Sequence, residues 1–139
     1  MSSWPSSKAQ RVLATLSRIG LTLSLILAAA PLRAEWVKVG RTDAAVHYVD
    51  PATLRKDGGL RRVWAMQDML EASPAGARSI RALQEYDCAD GRFRYVSVAA
   101  HAEPMARGEV LAEHELRDRW TAQPPGTKTS AIGKIVCAP

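Results

Sequence analysis

The stretch Ile80–Ala102, IRALQEYDCADGRFRYVSVAAHA, decides the fold. Two runs within it, Ile80–Cys88 and Arg92–His101, alternate apolar and polar residues on either side of Asp90-Gly91. Alternation marks half-buried strands, and Asp-Gly is favoured in a two-residue type I′ hairpin turn. With that turn Ala89 faces Arg92, Cys88 faces Phe93, Asp87 faces Arg94 and Tyr86 faces Tyr95. One face then carries Ile80, Ala82, Tyr86, Cys88, Phe93, Tyr95 and Ala99. The other carries Arg81, Glu85, Asp87, Arg92 and Arg94, interleaved with Leu83, Val96 and Val98. The first face is the core side, and Cys88 points into it.

On the N-terminal side, Glu35–Val39 and Ala45–Asp50 read as two short strands. Asp50-Pro51 resembles an N-cap followed by proline at the first helical position, so one helical turn is predicted through Leu54. Asp57-Gly58-Gly59 turns the chain into a third run, Leu60–Leu70, and Ser73–Gly76 is a polar loop. On the C-terminal side, Glu109–Leu116 is one more strand. After Pro124-Pro125-Gly126, Thr129 or Ser130 caps a short helix whose Ile132, Ile135 and Val136 form one apolar stripe by their i, i+3, i+4 spacing. Gly133 inside that helix costs about 1 kcal/mol, which leaves a terminal strand as the other reading. Strands followed by one packed helix give an α+β fold in two layers.

The 139 residues suffice for one domain, and the 24% of charged residues is ordinary for a globular chain. The formal net charge of +5 is unevenly spread. Lys8, Arg11, Arg18 and Arg33 fall in the first 34 residues, which hold no acid, so 15 of the 19 basic residues face 14 acids in residues 35–139. A nearly neutral domain lacks the cationic surplus that non-specific nucleic-acid binding requires, so no nucleic-acid partner is expected. The basic start is instead the n-region of a signal peptide over residues 1–34. Ile19–Ala30 is its apolar core, and cleavage after Ala34 leaves Glu35 as the first residue of a domain over residues 35–139. An uncleaved short anchor is the competing reading, although twelve apolar residues fall short of the ~20 that span a bilayer, and no span is expected after leader removal. No Cys lies in or just after the apolar run, so no lipid anchor is expected there.

Export puts the two cysteines in an oxidising compartment, where an even count implies a bridge and only Cys88–Cys137 is available. A loop of about 50 residues would remove roughly 4 kcal/mol of unfolded-chain entropy. Two free redox-active thiols would be the alternative, but neither a CxxC pair nor a basic neighbourhood supports it.

Several stretches together resemble the surface-adhesin E proteins, exported proteins of Gram-negative bacteria. They are Trp36–Gly40 (WVKVG), Tyr48–Leu54 (YVDPATL) with Asp57-Gly58, Val63-Trp64, Leu83–Cys88 (LQEYDC) and Lys134–Cys137 (KIVC). The resemblance runs in order across nearly all of residues 35–139. It implies a six-stranded antiparallel sheet with a C-terminal helix held by the cysteine bridge. It also implies attachment to host extracellular-matrix or plasma proteins, without cofactor or catalysis. A soluble periplasmic envelope module is the other functional reading. The matching motifs read as scaffold: turns, core aromatics and the bridge.

Catalytic and metal chemistry finds no local support. His47, His101 and His114 lie on separate segments without ligand spacing, no GxSxG or SxxK occurs, and Arg92 and Arg94 neutralise Glu85, Asp87 and Asp90 across the hairpin. Trp36, Trp64, Tyr86, Phe93 and Tyr95 read as core. Trp120, beside Arg117 and Arg119, is a candidate binding patch, because Trp and Arg are enriched at interface hot spots; a Trp folded back before Pro124 is the alternative. Arg61, Arg62, Arg78 and Arg81 would form a basic strip suited to acidic polysaccharide. Edge strands leave a homodimer open.

Overall fold

The computed structural model describes residues 34–139; the expected leader lies outside the described residues. Six strands form one antiparallel sheet in sequence order: β1 (Val37–Arg41), β2 (Ala45–Asp57), β3 (Leu60–Met69), β4 (Ser79–Asp87), β5 (Arg92–Glu103) and β6 (Arg107–Glu115). A two-residue strand, β7 (Thr121–Ala122), pairs with the start of β5, and α1 (Lys128–Val136) follows. From β1 to β6 each strand pairs with its sequence neighbour, so the six need no crossover.

The helix lies on one face of the sheet. Ile132 and Val136 are buried against Val49, Val63, Ala65, Tyr86 and Phe93, with Val39, Leu54, Tyr95 and Cys137 at the margin. Phe93 stacks on Tyr86 at 5.9 Å and meets Tyr95 edge-on at 5.6 Å. The Tyr86 hydroxyl donates to Gln84 Oε1 at 2.6 Å, which satisfies both polar ends inside the core. Cys88 and Cys137 are bridged, with 5.5 Å between their Cα atoms, so the hairpin end is tied to the helix end.

The helix cap is Thr127 rather than Thr129 or Ser130. Its Oγ1 accepts from Ser130 N at 3.2 Å and its hydroxyl donates to the Pro124 carbonyl, which anchors the turn before the helix. The buried stripe is Thr129, Ile132, Gly133 and Val136, while Ile135 points outward at 38% exposure. Gly133 is accommodated because the Gln123 side chain lies across it, where a Cβ would collide.

Two local expectations change. Asp50-Pro51 starts no helical turn: β2 continues through it and the pairing slips between Asp50 and Arg55. Asp50 Oδ1 accepts from Ala52 N at 3.1 Å, the Thr53 hydroxyl donates to the Asp50 carbonyl at 2.6 Å, and Trp64 N donates to Thr53 Oγ1 at 3.1 Å. These bonds close a bulge inside a strand, using the side-chain competition that Asp and Thr offer in turns.

The β4–β5 loop holds four residues, Cys88–Gly91, not two. Asp87 accordingly pairs with Arg92, Tyr86 with Phe93 and Glu85 with Arg94. Asp87 Oδ1 takes the Asp90 N–H, and Gly91 supplies the positive φ of 62°. A second irregularity between Leu83 and Gln84 then shifts the phase of β5. Val98 lies opposite Ala82 on the helix side, and Ala99 lies opposite Arg81 on the other face, the reverse of the expectation.

Candidate functional site

The face away from the helix collects residues that a strand alternation places together. Trp64 stands between Asp50 on β2 and Leu83 on β4, and Arg81 stands between Met66 and Ala99. The Arg81 guanidinium lies over the Trp64 ring, 4.4 Å from its centroid. Trp36, just before β1, joins them. With Asp50, Ala52, Thr53 and Arg55 these residues line an open cleft of about 320 Å³. A second cleft of about 600 Å³ shares Ala34, Trp36 and Arg81 and runs on to Met105, Ala106 and Arg107. The two make one trough with guanidinium groups at Arg55, Arg81 and Arg107. Among the described residues, none of these three forms an ion pair.

One wall of the trough is a strained turn. Met105 and Ala106 have φ of 60° and 54°, a left-handed backbone that costs an L-residue about 1–2 kcal/mol. Side chains from the sheet hold it: Met105 N donates to Asp68 Oδ1 at 2.8 Å and Ala106 N donates to Ser79 Oγ at 2.9 Å. The fully buried Ser79 hydroxyl in turn donates to the Glu103 carbonyl at 2.6 Å. Strain retained in this way concentrates at binding sites.

Beside the trough the same face carries a charged row. Glu85, 1% exposed, accepts from Arg62 on one side and Arg94 on the other. Burial pushes its carboxyl up, but the two guanidinium hydrogen bonds outweigh burial and leave it below the usual glutamate range. The Trp120 ring receives Arg94 at 4.5 Å and Arg92 at 5.2 Å, and Arg92 also pairs with Asp87 and Asp90. Of the sequence patch Arg117, Arg119 and Trp120, only Trp120 is thus engaged with the sheet; the two arginines are exposed.

The expected basic strip does not form. Arg61 pairs across from Tyr86 on the helix side, whereas Arg62 and Arg81 are on the opposite face, and Arg62 is occupied by Glu85. Trp36 and Trp64 are half-buried cleft residues and not core. The signal for Trp64 was present in the sequence: it sits between the apolar Val63 and Ala65, and strand alternation puts it on the face opposite those two. His47 is buried beneath the helix, His101 is buried on the opposite face, and His114 is exposed on β6. Among the described residues, no three His, Cys, Asp or Glu side chains are placed to hold a metal.

The sequence model of surface-adhesin protein E matches residues 36–138. The chain belongs to the surface-adhesin protein E family. Solved structures with this fold include protein E of Haemophilus influenzae. In one crystal form it is 16% identical, with a TM-score of 0.57 over 76% of this chain and 88% of that one. Another structure of the same protein gives 17% identity and a TM-score of 0.56 over 76% and 85%. A third, from a non-typeable strain, gives 17% and 0.54 over 76% of each chain. No curated protein sequence matches. Within this adhesin-E chain, three of the stretches that carry the family resemblance meet at the cleft: Trp36 from WVKVG, Asp50, Ala52 and Thr53 from YVDPATL, and Trp64.

Proposed function

We propose that this adhesin-E chain is a non-enzymatic exported binding protein that attaches to host extracellular-matrix or plasma proteins. The observation that carries the reading is membership of the surface-adhesin family over residues 36–138. Among the described residues, a sheet face without a covering helix, bearing Trp36, Trp64, Trp120 and guanidinium groups without ion pairs, supports it, since Trp and Arg are the residue types that dominate interface energetics. The basic leader, residues 1–34, is removed on export, so N-terminal sequencing of the processed protein starts at Glu35.

Protease treatment of intact cells, compared with cells whose outer membrane has been permeabilised, tests the location. Digestion on intact cells followed by binding of the purified protein to immobilised matrix proteins supports adhesion. Digestion only after permeabilisation replaces that reading with a periplasmic envelope module.

A further inference from the structure

We propose that the trough over Trp36, Trp64, Arg55 and Arg81 is a binding site for an acidic glycan chain, one whose sugar rings carry carboxylates. The proposal rests on the reading of this chain as a binding protein without catalysis and names the ligand class of its concave site.

Four features select this chemistry. The 320 Å³ cleft falls in the ~300–1,000 Å³ range of small-ligand sites, and its extension to Arg107 suits a chain rather than a single sugar. Two half-buried indoles offer flat apolar faces, which match the C–H faces of a pyranose. Arg55, Arg81 and Arg107 recur along the trough without ion pairs among the described residues, and a guanidinium fork recognises a carboxylate through two parallel hydrogen bonds. Arg81 is already placed at the cleft, its guanidinium carbon 4.4 Å from the Trp64 ring centroid.

The indoles separate a glycan from an acidic peptide, because carboxylate side chains offer no flat C–H face to stack on them. Asp50 lines the same cleft. It is only 3% exposed and its Oδ1 already accepts from Ala52 N, so it leaves one oxygen at the cleft wall that a sugar hydroxyl can donate to. A site holding acceptor, donors and aromatic walls together is matched by a ligand that is hydroxylated, anionic and flat-faced at once.

The test uses protein exported and processed by cells expressing the full chain. It is titrated with a hexasaccharide of alternating glucuronate and N-acetylglucosamine, a neutral N-acetylglucosamine hexamer and a polyglutamate peptide of equal charge. Binding is read by calorimetry and by the indole N–H signals in NMR spectra. The acidic hexasaccharide is expected to bind at least about tenfold more tightly than either control, the scale set by losing charge-assisted hydrogen bonds or a stacking wall. It should shift the Trp36 and Trp64 indole signals and leave Trp120 in place.

Arg81→Gln and Trp64→Leu should each weaken binding about tenfold, and His114→Gln, on the exposed edge strand β6, should change it less than about twofold. Retained strand and helix signals in each variant separate a lost site from a lost fold. Arg81→Lys keeps the charge without the fork and is expected to fall between wild type and Arg81→Gln. The proposal is overturned if the acidic hexasaccharide does not bind, if the neutral hexamer or polyglutamate binds equally well, or if the shifts localise to Trp120. New reducing ends appearing during the titration would overturn the non-catalytic reading while leaving the trough as the site.

Discussion

Ser79 shows how one small buried side chain holds a strained segment. Its hydroxyl bridges Glu103 and Ala106, so removing it strips partners from two backbone groups at once. Ser79→Ala is expected to destabilise the protein by about 1–3 kcal/mol, measured as a lower urea midpoint. The reverse experiment relieves the strain: Ala106→Gly removes the left-handed penalty at φ 54°, offset in part by unfolded-state entropy, and should stabilise by up to about 1 kcal/mol. A destabilised Ala106→Gly protein would show that the turn is not strained. Glu85 is a different case, because its carboxylate is clamped between two arginines that are themselves partly solvated. Glu85→Gln keeps the shape but loses charge-assisted bonds on both sides. A loss of about 1–3 kcal/mol, read in the same denaturation series, is expected.

At the level of elements, the helix is held to the sheet by a short apolar stripe and one covalent tie. Nine residues with three buried side chains are too few to be stable alone, since isolated helices below ~12–15 residues are marginal in water. The bridge closes a loop with 49 residues of sequence separation. Replacing Cys88 and Cys137 by Ser is therefore expected to lower stability by roughly 4 kcal/mol in the loop-entropy account, with loss of helix signal preceding loss of sheet signal. Simultaneous, unshifted melting of both would argue that the helix needs no tie. The edge strand β6 presents the opposite problem, an exposed row of strand residues from end to end. Glu109, Glu113 and Glu115, with Arg107, place charges along it, which disfavours indiscriminate edge pairing.

Across the whole molecule, two buried histidines on opposite faces set an acid limit. Burial lowers His47, with the Lys128 charge adding to it. Burial also lowers His101, and the nearby Arg81 charge outweighs the opposing pull of Glu113. The unfolded chain therefore binds more protons than the native one just below pH 6.5, so stability rises with pH through that window. Stability should be full above about pH 6.5 and decline as the pH falls below it, before Glu85 is protonated. Urea midpoints at pH 7.5 and 5.5 measure the decline, and a His47→Gln, His101→Gln double variant should flatten it. An unchanged slope in that variant would assign the acid sensitivity to other groups.

The run of alternating strands, the Gly58-Gly59 turn and the single cysteine pairing were determined by the sequence, because each rests on residues within a few positions or on a count of two. The helix was one of two readings of the C-terminus, and its cap fell at Thr127 rather than Thr129 or Ser130. The α+β class follows from those local patterns. Register was not legible in the same way. Asp87 caps a four-residue loop where Asp90-Gly91 alone would close a two-residue one, and the Leu83/Gln84 irregularity exchanges the faces of Val98 and Ala99. A shift of one residue inverts a strand, so small side-chain-to-backbone contests decide which face each residue joins. Only the tertiary structure decided the trough. Trp36, Asp50, Trp64, Arg81 and Arg107 come from five separate segments, and a concave site exists only when the sheet brings such distant residues onto one face.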